Sequence, residues 1–172
     1  MTSAAKVKGN SWERECAKLL TKCLGCHFER NKNGSGAFVG GKNSQRMKYL
    51  STTQILSFLG DVIPPDNMTK MCVECKFYKD FPFHHFLIDK EIPLLDEWIQ
   101  QQLDIVNDTH FWFVAFKINF AGSYIVIPQK LLDNQDITIN HSLYHYKNEC
   151  YIVADFENFI KVYKDFIIKK CQ

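Results

Sequence analysis

Hydrophobic positions along the chain predict three helical regions. Residues 10–24 place apolar side chains at helical spacing, and Gly25 follows directly, where a helix C-cap is expected. Residues 92–107 repeat this pattern, and the segment from Asp155 onward carries aromatic side chains at the same spacing with lysines near its end. The pattern therefore predicts amphipathic helices near the start, in the middle and at the end.

Strands are predicted between these helices. Residues 27–32 can form a short strand, and residues 61–76 hold two apolar runs around a Pro-Asp-Asn turn, which favours a hairpin. Residues 111–118 and 123–128 are continuous apolar runs, typical of strands that are buried on both faces. Residues 143–154 suggest a peripheral hairpin. The order of elements predicts a mixed α/β sandwich.

Composition limits the class of protein without identifying it. The chain has 172 residues, of which 46% are apolar, so we expect residues 1–172 to form a single domain with its own core. A net charge of +2 does not by itself indicate a nucleic-acid partner. Seven cysteines without a framework pattern, and no signal-peptide core, favour a reducing cytosol. No apolar run approaches the ~20 residues of a membrane span, so we expect a soluble protein.

Charge is distributed unevenly along the chain. Between Arg30 and Gly60 there is no Asp or Glu, and five Lys or Arg residues occur. A Gly-rich, purely basic loop at about 31–59 suits a phosphate backbone, although a solvated loop with no partner explains the charges equally well. The candidate DNA contacts in this loop are Lys42, Arg46 and Lys48.

Two acidic residues and a lysine are predicted to share one face of the hairpin at 61–76. If its turn is centred on the Asn-Met step, Asp61 lies directly opposite Glu74, with Cβ atoms ~5 Å apart. Alternation along the strand places Lys76 on the same face as Glu74. Two facing carboxylates repel each other, so the arrangement favours a cation between them.

Oxygen ligands of this kind favour Mg²⁺, which is usually held by one or two carboxylates and keeps waters and phosphate oxygens as its other ligands. Lys76 beside such an ion could orient or deprotonate a water and stabilise charge on a phosphate. The neighbouring Asp66 lies at the turn, roughly 16 Å of strand from Glu74, so we interpret it as a turn residue.

Sulfur ligands offer a different interpretation. Cys23 and Cys26 form one Cys-x-x-Cys pair, and Cys72 and Cys75 form another, which is the usual signature of a structural zinc site. In a strand, however, the second pair would point to opposite faces. A zinc-stabilised nucleic-acid-binding module without catalysis stays open as the alternative. Gln100, Gln101 and Gln102 on the predicted middle helix could contact DNA, although a solvated helix face is the simpler explanation.

Several short motifs occur in a familiar order. They are KGNSWERE at 8–15, Arg30 followed by GSG at 34–36, GDV at 60–62 and ECK at 74–76. In order and spacing they resemble the PD-(D/E)xK nucleases, most closely the Holliday-junction resolvases and their phage-encoded relatives. The resemblance covers roughly the first half of the chain.

This resemblance implies a restriction-endonuclease-like core of helix, three strands, helix and strand (αβββαβ), with an extra hairpin and C-terminal helix. It implies that Mg²⁺ or Mn²⁺ is bound by Asp61, Glu74 and the backbone carbonyl of Cys75, and that Lys76 is catalytic. It also implies Glu13 as an accessory metal ligand or water-positioning group.

Other positions follow from the same resemblance. Arg30 and Ser35 match positions where contacts to backbone phosphates are expected. Glu13 has a second interpretation, because it lies three residues after Asn10 in the spacing of a helix cap.

The hypothesis from the sequence is therefore a metal-dependent DNA endonuclease that acts on branched DNA as a homodimer, inside a cell and away from membranes. A nuclease for duplex ends or flaps, or a restriction-like enzyme, is the rival within the same class.

Overall fold

The computed structural model describes residues 4–32, 45, 48–49, 59–133 and 135–172. Four α-helices lie in these ranges: α1 (Ala4–Leu24), α2 (Pro93–Leu103), α3 (Phe156–Val162) and α4 (Lys164–Cys171). None of the described helices is long and apolar enough to cross a membrane.

The helices confirm the three predicted regions with two differences in their limits. The first helix begins at Ala4, because the alanines and lysines before Gly9 are good helix formers and the glycine is tolerated inside the helix. The last region is divided at Tyr163. The hydroxyl of Tyr163 accepts a hydrogen bond from the Thr138 amide and donates one to the Asp136 carbonyl, so the break is held against the segment 136–138.

Strands form one small and one large sheet. β1 (Glu29–Arg30) pairs with β2 (Val62–Ile63) in antiparallel orientation. The strands of the large sheet are β3 (Met71–Tyr78), β4 (Phe111–Ile118), β5 (Gly122–Pro128), β6 (His141–Tyr146) and β7 (Glu149–Asp155). Their order is β3-β4-β5-β7-β6, in which β3 and β4 are parallel and the other neighbours are antiparallel.

Two sequence predictions about pairing are wrong. The segment 61–76 is not a two-stranded hairpin, since β2 pairs with β1 while β3 pairs with β4. The chain still reverses through a 3-10 turn at Asp66–Met68, which brings Asp61 beside Val73. The C-terminal hairpin is not peripheral either, because its second strand, β7, lies between β5 and β6 with a buried apolar run.

Helices cover both faces of the large sheet. The core on one face combines α1, α3 and α4 with Val73 and Cys75 of β3, whereas the core on the other face combines α2 with Cys72. Because side chains alternate along a strand, Glu74 and Lys76 face α2. The mixed sheet between helical layers confirms the predicted fold class and is consistent with a restriction-endonuclease-like core.

Candidate active site at the edge of the sheet

Asp61 is positioned by backbone contacts at the edge of β3. Its amide donates a hydrogen bond to the Val73 carbonyl at 2.7 Å, and its carbonyl accepts one from Asn31 at 2.8 Å. Its Oδ2 accepts a hydrogen bond from the Cys75 amide at 2.8 Å. Gly60 has φ +68, and a Cβ there would lie 2.6 Å from the Val73 oxygen. Only glycine fits this close approach, which places Asp61 beside the middle of β3.

Glu74 and Lys76 meet the end of α2. The Lys76 ammonium donates hydrogen bonds to Glu74 Oε1 at 2.8 Å and to Gln101 Oε1 at 2.6 Å. The amide of Gln102 donates one to Glu74 Oε2 at 3.3 Å. The side chains of Glu74 and Lys76 are 8% and 17% exposed, so both charges are largely removed from water. Their orientation is therefore set by helix side chains as well as by the strand.

Glu13 and Arg30 form an ion pair, and the carboxylate of Glu13 is close enough to Asp61 for its charge to act on it. The Arg30 Nε donates to Glu13 Oε2, and its Nη2 donates to Asn10 Oδ1 at 2.7 Å. Since α1 begins at Ala4, Asn10 and Glu13 lie inside the helix, and the interpretation of Glu13 as part of a helix cap is wrong. The indole of Trp12 donates to the Ala115 carbonyl at 2.9 Å, which attaches this part of α1 to β4.

The charges around Asp61 leave negative charge uncompensated. Burial, followed by the charge of Glu74, raises the pKa of Asp61 from 3.8 to about 8. The hydrogen bond from Cys75 and the ammonium of Lys76 lower this pKa, and the charge of Glu13 raises it further. We call Asp61 and Glu74 the acidic pair. A cation placed between the two carboxylates would favour their charged forms and so counteract the shift.

The atoms around the acidic pair fit a hard cation with oxygen ligands. The N–H and C=O groups of one strand residue point to the same side, so the Cys75 carbonyl leaves the edge of β3 on the side to which its amide reaches Asp61. Two carboxylates and a carbonyl suit Mg²⁺ or Mn²⁺ when waters and phosphate oxygens complete the shell. Within the described ranges, no group of three or more His, Cys, Asp or Glu side chains is arranged to hold a metal.

The cysteines do not gather into a zinc site. Cys72 and Cys75 face opposite sides of the sheet, as the sequence predicted for a strand, and Cys26 lies against Met68, with Sγ and Sδ 3.4 Å apart. Burial raises the pKa of the Cys23, Cys26 and Cys72 thiols, which disfavours the thiolate that zinc requires. All seven cysteines are free.

The predicted DNA contacts in the basic loop are not part of the described site. Ser35, Lys42 and Arg46 lie outside the described residues, and Lys48 is exposed. Asp66 is exposed at the start of the 3-10 turn, as its interpretation as a turn residue predicts.

The sequence analysis named Gln101 and Gln102, with Gln100, only as candidate DNA contacts or a solvated helix face, and it did not connect them with Glu74 and Lys76. Both residues lie near the end of α2, the helix that follows the ECK motif along the chain. The run of glutamines there was the only feature of the sequence that could have indicated their role. A cavity of about 820 Å³ contains none of the candidate residues. It is lined mainly by the residues that lead from the end of α2 into the start of β4, together with Lys169 and Lys170 of α4.

Comparison with known proteins gives one match. The model of a family described as "Phage putative PDDEXK endonuclease" matches residues 4–169 of the chain. No curated protein and no solved structure matches the chain significantly.

Proposed function

Because the chain belongs to the phage PDDEXK endonuclease family, we propose that it is a Mg²⁺- or Mn²⁺-dependent endonuclease that hydrolyses phosphodiester bonds in branched DNA. Membership makes the protein a nuclease; metal dependence, the site residues and the preference for branches are the proposal. Residues 1–172 act as one nuclease domain in this proposal, since the family match extends over nearly all of them.

The acidic pair carries the proposal. Two buried carboxylates, one with its pKa raised to about 8, are costly unless a cation or a proton lies between them. Asp61, Glu74 and the Cys75 carbonyl would hold Mg²⁺ or Mn²⁺. When bound, the ion would act as a Lewis acid on the phosphate and lower the pKa of a bound water.

Lys76 has the second essential role. Its ammonium is held by Glu74 and Gln101 on the same side of β3 as the acidic pair. From there it orients the attacking water and stabilises the negative charge that develops on the phosphate. The side-chain amide of Gln102 donates a hydrogen bond to the other oxygen of Glu74, Oε2, and so holds the carboxylate in place.

Glu13 and Arg30 complete the site from α1 and β1. Glu13 acts as an accessory ligand or positions water, and Arg30 holds its carboxylate in place. Arg30, Ser35 and the loop residues Lys42, Arg46 and Lys48 contact DNA phosphates in this proposal. A homodimer would supply the two symmetric cuts that a four-way junction requires.

The test is cleavage of end-labelled synthetic DNAs. A four-way junction, plain duplex, a splayed arm and single strand are compared with Mg²⁺, with Mn²⁺ and with chelator, and the Lys76→Ala protein serves as control. Paired symmetric nicks in the junction alone, absent in the variant, are the expected result.

Other outcomes select other functions. Metal-dependent cutting of duplex ends or flaps would support the proposed site but identify the rival substrate class instead of branched DNA. Absence of cutting in every substrate, with stoichiometric zinc that survives dialysis, would overturn the proposal in favour of a zinc-stabilised binding module.

A further inference from the structure

The hairpin between β4 and β5 presents a phenylalanine to solvent. Phe120 has a relative exposure of 109%, the highest of the large apolar side chains in the part of the chain that the structure describes. A phenylalanine left in water forgoes the stabilisation that burial gives. Single exposed apolar residues are common on protein surfaces, so the exposure needs a second observation before it indicates a role.

The backbone of Phe120 supplies that observation. The Ala121 amide donates a hydrogen bond to the Ile118 carbonyl at 3.2 Å, which closes a four-residue turn with Phe120 in third position at φ +60. Turns of this kind normally place glycine or asparagine at such a position, because a side chain is strained there. The other described non-glycine residues with positive φ are all polar: Asp89, Asp133, Lys147 and Asn148. The backbone strain thus opposes folding, and the exposed ring contributes no burial that would offset it.

The tip is attached firmly to the strand that carries the active site. The Asn119 amide donates a hydrogen bond to the Tyr78 carbonyl at 3.2 Å, and the Tyr124 hydroxyl donates one to the Ala121 carbonyl at 2.7 Å. The Tyr78 ring in turn packs against buried Trp98, with centroids 5.1 Å apart. Phe120 is therefore presented from a fixed turn.

The register places this tip near the acidic pair. Glu74 is opposite Val114, and Tyr78 is opposite Ile118 at the start of the turn. Phe120 is six residues beyond Val114, so it lies no more than ~20 Å further along at ~3.3 Å per residue. At ~3.4 Å per step along one strand, this span covers roughly six bases of DNA.

We propose that Phe120 stacks on an exposed base of the DNA held at the acidic pair. Aromatic side chains stack on unpaired bases and insert as wedges between base steps. Branch points and unpaired segments offer such base faces, whereas an intact duplex must first be unstacked. This inference rests on the proposed function and names the residue that favours branched over plain duplex DNA.

Tryptophan fluorescence gives a direct test. The three native tryptophans are buried, with exposures of 3%, 1% and 3%, so a Phe120→Trp protein gains one exposed reporter. In a Lys76→Ala background, a four-way junction should shield this reporter from acrylamide and quench its emission, and plain duplex should do so less. Val162, 48% exposed on α3, provides the matched control: a Val162→Trp reporter should stay accessible.

A second variant separates stacking from folding. Phe120→Gly removes the ring and the backbone strain together, so its melting temperature should be equal to or above that of the wild type. Its affinity for the junction should fall roughly five- to a hundredfold, the range for one stacked base. Leu143→Ala, at an exposed position on β6, should leave binding unchanged.

Three results would overturn the inference. Wild-type-like junction binding by Phe120→Gly would exclude stacking while the nuclease proposal stands. Shielding of the Phe120→Trp reporter without DNA, increasing with protein concentration, would identify the tip as a contact between copies of the chain. If the wild type neither binds nor cuts any DNA, the proposed function fails together with the stacking role.

Discussion

Gln101 accepts a hydrogen bond of 2.6 Å from the ammonium of Lys76, so a side chain of α2 sets the direction of a lysine on β3. The lysine side chain has four rotatable bonds, and Glu74 alone would leave its ammonium freer to turn. Gln101 is itself held by Glu97 one turn earlier, through a 3.1 Å hydrogen bond from its amide. We infer that Gln101 is a positioning residue for Lys76.

Gln101→Ala should slow the cleavage step without weakening DNA binding. A hydrogen bond to a charged group contributes about 1.5–3 kcal/mol, which corresponds to a rate loss of roughly ten- to a hundredfold. The measurement is the single-turnover rate at saturating enzyme, together with the affinity for uncut DNA in Ca²⁺. Gln101→Glu should keep more of the rate, since it retains an acceptor for the ammonium.

Gln100 provides the control for this prediction. It is adjacent in sequence, yet its contacts run to Asp104, Tyr146 and Lys147, away from Lys76. Gln100→Ala should cleave at the wild-type rate. Equal losses in the two variants would mean that damage to α2, and not the orientation of Lys76, causes the effect.

Lys76→Ala and Asp61→Asn should remove cleavage while leaving the fold and most DNA binding intact. In the proposed function both side chains act on the chemical step, and groups of this kind typically contribute 10²–10⁴-fold. The asparagine keeps an oxygen to accept the hydrogen bond from the Cys75 amide, so the local backbone should not change. Single-turnover rates and circular dichroism measure the two properties. Cutting by either variant at the wild-type rate would refute the assignment of the site.

Alternation along a strand was sufficient to predict the face shared by Glu74 and Lys76, because a period of two needs no knowledge of the rest of the fold. The sequence analysis also predicted that Asp61 lies beside them, but it did so through a hairpin that the structure does not contain. β2 has only two residues, and its true partner, β1, is more than thirty positions earlier in the chain, beyond the reach of any local pattern.

Contacts from helices could not be predicted in the same way. The rotation of α2 about its axis depends on how it packs against the sheet, so the sequence could not distinguish a solvated glutamine from one that contacts Lys76. The partner of Glu13 was hidden for a similar reason, since the ion pair with Arg30 joins α1 to β1. Tertiary packing determined these parts of the site.

Metal-free protein should lose stability as the pH rises through the range in which Asp61 titrates. Its pKa is raised to about 8 in the folded protein from 3.8, so the folded state binds the proton more tightly than the unfolded state. The associated stability is fully present below about pH 4 and is lost as the pH rises to about 8. Urea unfolding in chelator across this range should show a slope of at most about 1.4 kcal/mol per pH unit from this group.

The Asp61→Asn protein supplies the comparison, since an asparagine does not titrate. In chelator, the stability of the wild type relative to this variant should decrease with pH. Mn²⁺ should restore stability to the wild type, more at pH 8.5 than at pH 6, because the ligand must be deprotonated. Equal stabilisation of the variant by Mn²⁺ would place the metal elsewhere.

Gly60→Ala should destabilise the protein and displace Asp61. The positive φ and the 2.6 Å approach to the Val73 oxygen both oppose a Cβ at this position. We expect a loss of about 1–3 kcal/mol in the free energy of unfolding. Gly9→Ala is the opposite case, because Gly9 lies inside α1 with no atom within 4 Å of an added Cβ. The Gly9→Ala protein should gain up to about 1 kcal/mol in the free energy of unfolding. Similar losses in both variants would show that the contact with Val73 does not cause the destabilisation.

Neutralising Lys42, Arg46 and Lys48 to glutamine should weaken DNA binding and flatten its dependence on salt. Each phosphate contact that is lost reduces the slope of log K against log salt by about 0.9, so three contacts would remove up to about 2.7. The measurement is the affinity for a labelled junction over a series of salt concentrations in Ca²⁺. A triple change of Lys130, Lys169 and Lys170, which line the 820 Å³ cavity, alters the net charge equally and serves as control. If the two triple variants reduce the slope by the same amount, overall charge and not contact by the basic loop explains binding. An unchanged slope in the first variant would mean that Lys42, Arg46 and Lys48 do not contact phosphate.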